Sequence, residues 1–174
     1  EMIGDKVFVT DEPEAQSIFN SGWYGIISNG VLELSYTEAA LLFERSRIEI
    51  FEGKKAMTVA NFMKHCTKKD NRFKVRYAVY KDLRDRGLPV RTGLKFGCDF
   101  RVYERGVKPL KKGPKEEVEH TKWVVFCVAE DYTCSFHEMA RSVRLAHNIR
   151  ANMLWAVVDT DNNVTYYEIT YLRL

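Results

Sequence analysis

The chain has 174 residues, of which 45% are apolar, and a formal net charge of +3. That length suits one large domain or two small ones, and the apolar fraction is that of a chain with a real core. No apolar run approaches the ~20 residues of a membrane span, and the opening EMIGDKVFVT lacks the basic-then-apolar pattern of a secretory leader, so a cytoplasmic protein without membrane attachment is expected.

In chain order, DKVFVTD reads as a short strand. NSGWYGIISNGVLELS has turn signals at Ser21-Gly22 and Asn29-Gly30 and predicts a hairpin. Thr37 precedes an apolar periodic run and is expected to cap a helix over 37–46. TVANFMKHCTKKDNRFKVRYAVYKDLRDRG holds one or two helices: Phe73, Tyr77, Tyr80 and Leu83 recur at helical spacing and Gly87 is a natural stop. The texture then changes. LPVRTGLKFGCDFRVYERG, broken by Gly93 and Gly97, reads as paired strands, and GVKPLKKGPKEEVE as an exposed loop. HTKWVVFCVAED is a buried strand ending in an acidic turn. SFHEMARSVRLAHNIRANM is an amphipathic helix, with Ser135 as N-cap and Glu138 completing a capping box. LWAVVD and VTYYEITYLRL, joined by TDNN, form a terminal hairpin. The fold class expected is α/β in the α+β sense: a small N-terminal α/β domain over 1–75, then a C-terminal domain over 76–174 built on a mixed sheet flanked by helices.

Lys and Arg concentrate between Lys68 and Lys122, interleaved with Phe73, Tyr77, Tyr80, Phe96, Phe100 and Tyr103, while the N-terminal third is acidic to neutral. Such interleaving suits a phosphate backbone with stacked bases, and equally an ordinary solvated face. Cys66, Cys98, Cys127 and Cys134 form no CxxC pair and read as reduced thiols. The sequence holds no Walker loop, dinucleotide fingerprint, HExxH or GxSxG, so no metal and no cofactor are expected. What remains is Tyr103 at one strand end, His120 at the start of another, and a helix face on which Arg144, Asn148 and Ala151 fall at i, i+4 and i+7. A phenol and an imidazole at adjacent strand ends can converge; spacing alone does not bring them together.

YAVYKDLRDRGLPVRTGLKFGCDFRVYERG, EHTKWVVFCV and RSVRLAHNIRANMLWAVVD, in that order, closely resemble the catalytic domain of archaeal-type tRNA-splicing endonucleases. The resemblance covers 77–174, and LELSYTEAALLF resembles the family's smaller N-terminal domain more loosely. It implies a catalytic tyrosine in FRVYERG, here Tyr103, a catalytic histidine in EHTK, here His120, and a lysine after AHNIR, where this chain has Ala151. It further implies that the RNA's own 2′-hydroxyl is the nucleophile, that no metal takes part, and that the products carry 2′,3′-cyclic phosphate and 5′-hydroxyl ends. The tyrosine takes the 2′-OH proton, the histidine protonates the departing 5′-oxygen, and the lysine offsets phosphate charge.

Arg144 is implied as a guanidinium that stacks on a bulged base, with Tyr171 as its aromatic counterpart. Assembly is implied as four units, either a homotetramer or a heterotetramer with a structural subunit. The acidic loop at Glu130 and Asp131 is expected to enter a basic pocket on another unit. Lys108, Lys111, Lys112 and Lys115 lie in the long loop between Tyr103 and His120 and are expected to touch RNA backbone. The function expected is cleavage of precursor tRNA at bulge–helix–bulge intron junctions, at a rate lowered by Ala151; the alternative is a non-catalytic, RNA-binding structural subunit of the same complex.

Overall fold

The computed structural model describes residues 1–4, 6–94, 97–109 and 119–172. It divides into two units, Glu1–Tyr77 and Ala78–Leu174. No described helix is long and apolar enough to cross a membrane.

In the first unit, β1 (Met2–Ile3), β2 (Lys6–Val9), β4 (Val31–Ser35) and β3 (Ile26–Ser28) lie in that order in an antiparallel sheet. Asn29 and Gly30 join β3 to β4, both at positive φ (51° and 79°), which gives a two-residue turn with the same twist as its strands. The turn expected at Ser21-Gly22 is instead the end of a helix that the sequence reading omitted, α1 (Glu12–Gly22). Its signals are local. The Asp11 carboxylate accepts the Glu14 N–H at 2.9 Å, Pro13 sits in the first turn beside Glu12 and Glu14, and Trp23 at φ 60° stops it.

The helix expected over 37–46 is α2 (Tyr36–Glu44), and its cap is Ser35 rather than Thr37. Ser35 is the residue with a glutamate three positions on. The Ser35 N–H donates to the Glu38 carboxylate at 2.9 Å, and the Glu38 N–H donates back to Ser35 Oγ at 3.4 Å. Buried Glu38 also accepts the Gly25 N–H at 2.8 Å, which ties the helix start to the hairpin. Leu32 and Leu34 of the sheet and Ala39, Leu41 and Leu42 of α2 are buried. A second hairpin, β5 (Phe51–Glu52) and β6 (Lys55–Ala56), precedes α3 (Val59–Lys69), which buries Phe62 and Cys66. Burial pushes the Cys66 thiol up to about 12, so it stays protonated. Asp70 breaks the chain after α3, its carboxylate accepting from the Arg72 N–H at 2.9 Å and from Arg76 at 2.8 Å. The next helix, α4 (Phe73–Asp85), begins in the first unit and ends in the second. Gly87, at φ 77°, stops it as expected.

The second unit is a five-stranded sheet in the order β11 (Val164–Ile169), β10 (Asn152–Val158), β9 (Trp123–Ala129), β8 (Phe100–Val102), β7 (Val90–Thr92). β9 and β10 are parallel and every other pair is antiparallel, so the sheet is mixed. Parallel neighbours need a crossover, and α5 (Phe136–Asn148) supplies it. Val124, Val128, Met153 and Trp155 on one face pack with Val143 and Ala146 of α5. On the other face the Phe100 ring lies 5.5 Å from that of Tyr80 on α4. The expected capping box of α5 is half made. Ser135 Oγ accepts the Glu138 N–H at 3.2 Å, but the Glu138 carboxylate accepts from the Tyr132 hydroxyl instead.

Asp82 on α4 accepts from the Tyr166 hydroxyl at 2.7 Å and from Arg86 at 2.7 and 3.1 Å, joining α4 to β11. Burial opposes the charged carboxylate, but the hydrogen bonds from Arg86 and Tyr166 outweigh it and hold Asp82 below its ordinary range.

Two outcomes follow. Ser35→Ala removes one side of a closed cap and should lower unfolding free energy by about 0.5–2 kcal/mol, read by thermal or denaturant melts. Asp82 titrates lower in the folded chain than in the unfolded one. Its contribution is therefore complete above the usual aspartate range and is lost as pH falls through the depressed value. The melting-temperature gap between the native chain and Asp82→Asn should be widest near neutrality and should close on acidification.

Candidate active site

The site begins with a backbone alignment. The Lys122 N–H donates to the Val102 carbonyl at 2.9 Å, and the Lys122 carbonyl accepts the Asn152 N–H at 2.9 Å. The pairings Val102↔Trp123 and Asn152↔Trp123, carried one residue further, put Tyr103 on one side of Lys122 and Ala151 on the other. Three strand ends thus meet at one end of the sheet. Residues directly opposite one another across a sheet project to the same face, and two strand spacings separate the Tyr103 and Ala151 backbones by about 10 Å. His120 lies two residues before Lys122 in the turn that leads into β9, and it is exposed. Tyr103 is 2% exposed, and its N–H donates to the Pro89 carbonyl at 3.0 Å, so its backbone is held from the β7 side as well.

Ala151 is not on a helix face. α5 ends at Asn148, and the chain reverses through Arg150 at φ 55°. The Ala151 N–H donates to the Ala146 carbonyl at 2.9 Å and the Arg150 N–H to the His147 carbonyl at 3.0 Å, the paired bonds of a left-handed helix stop. Glycine usually fills that position, and a side chain there costs about 1–2 kcal/mol. The expected i, i+4, i+7 face therefore holds only Arg144 and Asn148; Ala151 reaches the site from the strand side. Glu168 secures this corner by accepting from Trp123 Nε1 at 3.4 Å and from Asn152 Nδ2 at 3.2 Å.

Ala151 opens onto a groove of ≈ 310 Å³ lined also by His147, Asn152, Glu168 and Tyr171. Tyr171 is shared with a second groove of ≈ 400 Å³, where it faces Arg144 alongside Phe136, Met139 and Ile169. Its ring lies 5.7 Å from that of His147. Arg144 and Tyr171, paired in the sequence reading, are thus brought to one groove. Arg144 also borders a third groove of ≈ 400 Å³ with Arg141 and Asn148, one turn to either side along the same helix. Arg141 was missed by the sequence reading, although its i, i+3 spacing to Arg144 marks it. Lys122 was missed too; its Nζ lies 3.1 Å from a Glu104 carboxylate oxygen and 5.8 Å from the centre of the Trp123 ring.

The remaining candidates lie elsewhere. Glu130 and Asp131 follow the end of β9 and are both exposed, and the Glu130 carboxylate accepts the Thr160 N–H of its own chain at 3.2 Å. Lys108 is exposed. Lys111, Lys112 and Lys115 lie outside the described residues. Among the described residues no three His, Cys, Asp or Glu side chains are grouped as a metal ion would require.

Comparison with known proteins agrees over the whole chain. Residues 1–63 match the family model of the tRNA intron endonuclease N-terminal domain, and residues 73–166 match that of the tRNA intron endonuclease catalytic C-terminal domain. A tRNA-splicing endonuclease of Thermococcus gammatolerans is 42% identical over 170 residues, covering 98% of this chain and 95% of that protein. One from Nanoarchaeum equitans is 41% identical over 141 residues, covering 81% and 90%. One from Methanococcus vannielii is 36% identical over 173 residues, covering 99% and 93%.

Because the Ala151 methyl is partly buried against the core and also borders a groove, Ala151→Lys should lower unfolding free energy by about 1 kcal/mol, as a thermal melt would register.

Proposed function

The chain belongs to the tRNA intron endonuclease family, and on that premise we propose that it cuts precursor tRNA at bulge–helix–bulge intron junctions without a metal. Tyr103 takes the proton of the 2′-hydroxyl. The freed oxygen attacks the adjacent phosphorus, the bond to the 5′-oxygen breaks, and His120 delivers a proton to that oxygen. The ends left are a 2′,3′-cyclic phosphate and a 5′-hydroxyl. Residue 151 is where a cation would offset charge growing on the phosphate, and with alanine there the rate is low. Chief support comes from the row Tyr103–Lys122–Ala151 with His120 two residues upstream, which gathers the four positions at one end of the sheet.

Substrate grip on this reading falls to Arg144 and Tyr171, whose common groove is wide enough for an unstacked base, and to Lys108, Lys111, Lys112 and Lys115 on the backbone. The working form is a tetramer, either of identical chains or with a structural partner. Its contacts are made through the C-terminal strand and through the turn bearing Glu130 and Asp131. Apolar exposure at Tyr167 and Leu172 favours that use of the strand. A second reading, a non-catalytic structural subunit that binds RNA, is favoured by Ala151 itself.

Restoring the cation separates the two. Ala151→Lys should raise the single-turnover cleavage rate of an intron-containing precursor by about 10²–10³. In that background Tyr103→Phe or His120→Ala should return it to the starting level, and end-group analysis should find the cyclic phosphate. No gain, with RNA binding and assembly intact, selects the structural subunit. Replacing the four loop lysines with alanine should flatten the salt dependence of binding, by roughly 0.7 for each phosphate no longer neutralised.

A further inference from the structure

Charge in the first unit is sharply segregated. Residues 1–52 hold three Lys or Arg against ten Asp or Glu, whereas residues 53–77 hold eight against one. Three of those eight, Lys55, Lys64 and Lys68, line a groove of ≈ 350 Å³ between the β5–β6 hairpin and α3, together with Glu52, Asn61 and His65. The α3 residues among these fall at i, i+3, i+4 and i+7, so they share one helix face, and Phe62 and Cys66 are buried on the other side. Four residues of helix rise about 6 Å, which sets the Lys64 and Lys68 stems apart by nearly the interval between successive phosphates of an RNA strand. Lys55 faces them from the hairpin. His65 is held in place. The Tyr36 hydroxyl spends its one proton on the Gly4 carbonyl at 2.7 Å, so at 3.3 Å it accepts from His65 Nε2–H, which leaves Nδ1 as the other ring nitrogen.

We propose that this groove is a second RNA contact, binding phosphodiester backbone of the precursor tRNA outside the cut junctions. The proposal rests on the substrate reading given above. The lining offers cations and amides but no exposed aromatic platform to stack on a base, so the contact positions the RNA without reading its sequence. None of the residues assigned to the chemistry lies in this unit. Only Glu52 opposes an anion there, at the rim of the hairpin.

The experiment uses the full chain carrying Ala151→Lys, so that binding and cutting are read together. Lys55→Ala/Lys64→Ala/Lys68→Ala is compared with the matching triple arginine variant. The RNAs are an intact intron-containing precursor and a minimal RNA holding only the two junctions. Expected for the alanine set are precursor binding weakened at least about tenfold and a log–log salt slope shallower by about two to three. The saturated cleavage rate, the melting temperature and minimal-RNA binding should stay unchanged, and the arginine set should bind normally. An unchanged salt slope overturns the proposal, as does an equal loss on the minimal RNA. A change of oligomeric state also overturns it, and would make the groove a protein contact. If the Ala151→Lys chain binds precursor but never cuts it, the catalytic reading has failed while the groove is still judged by its salt slope.

Discussion

The two backbone groups of one residue hold three strand ends together. Lys122 gives its N–H to β8 and its carbonyl to β10, and through these bonds the ends of three strands are brought level. The alignment is made by main chain, so it does not depend on which side chains stand at the ends. Its fidelity comes from further along the strands. Val124, Val128, Met153 and Trp155 face α5, while Val125, Cys127 and Ala156 are buried on the opposite face, so β9 and β10 are packed on both sides. A slip of one residue would turn each side chain over and send Tyr103 to the opposite face of the sheet. Packing of the central strands therefore fixes the register that sets Tyr103 level with Lys122 and Ala151.

The legible parts of the sequence were those with strong local chemistry. Asn29-Gly30, Ser135 and Gly87 each marked a boundary that the structure keeps, and the strand–strand–strand–helix–strand–strand order of the second half is as read. Elements were missed for different reasons. α1 had a full set of start signals in Asp11, Pro13 and Glu14, but its apolar stripe is short, with only Ala15 and Ile18 buried. The β5–β6 hairpin has two-residue strands, too brief for any periodicity to register. Thr37 reads as the cap because it precedes the apolar run, whereas Ser35 is the hydroxyl with a glutamate three positions on.

At the candidate site, the sequence named positions but not the way the backbone brings them there. Arg144 and Tyr171 do border one groove. Ala151 was assigned to a helix because an arginine in the left-handed conformation leaves no mark in the sequence; a glycine at 150 would have announced the stop. Lys122 went unnoticed because only the sheet register, a long-range property, makes it the neighbour of both Tyr103 and Ala151.

The reversal at Arg150 also bears on how such a gene can change over time. The helix stop itself is made by peptide groups, while the Ala151 methyl packs at the edge of the core that α5 shares with the sheet. A change at 151 leaves these backbone bonds standing, and the cost of a larger side chain is set by what it displaces at the edge of the core. Copies of such a gene can therefore differ at 151 and still keep the same helix stop.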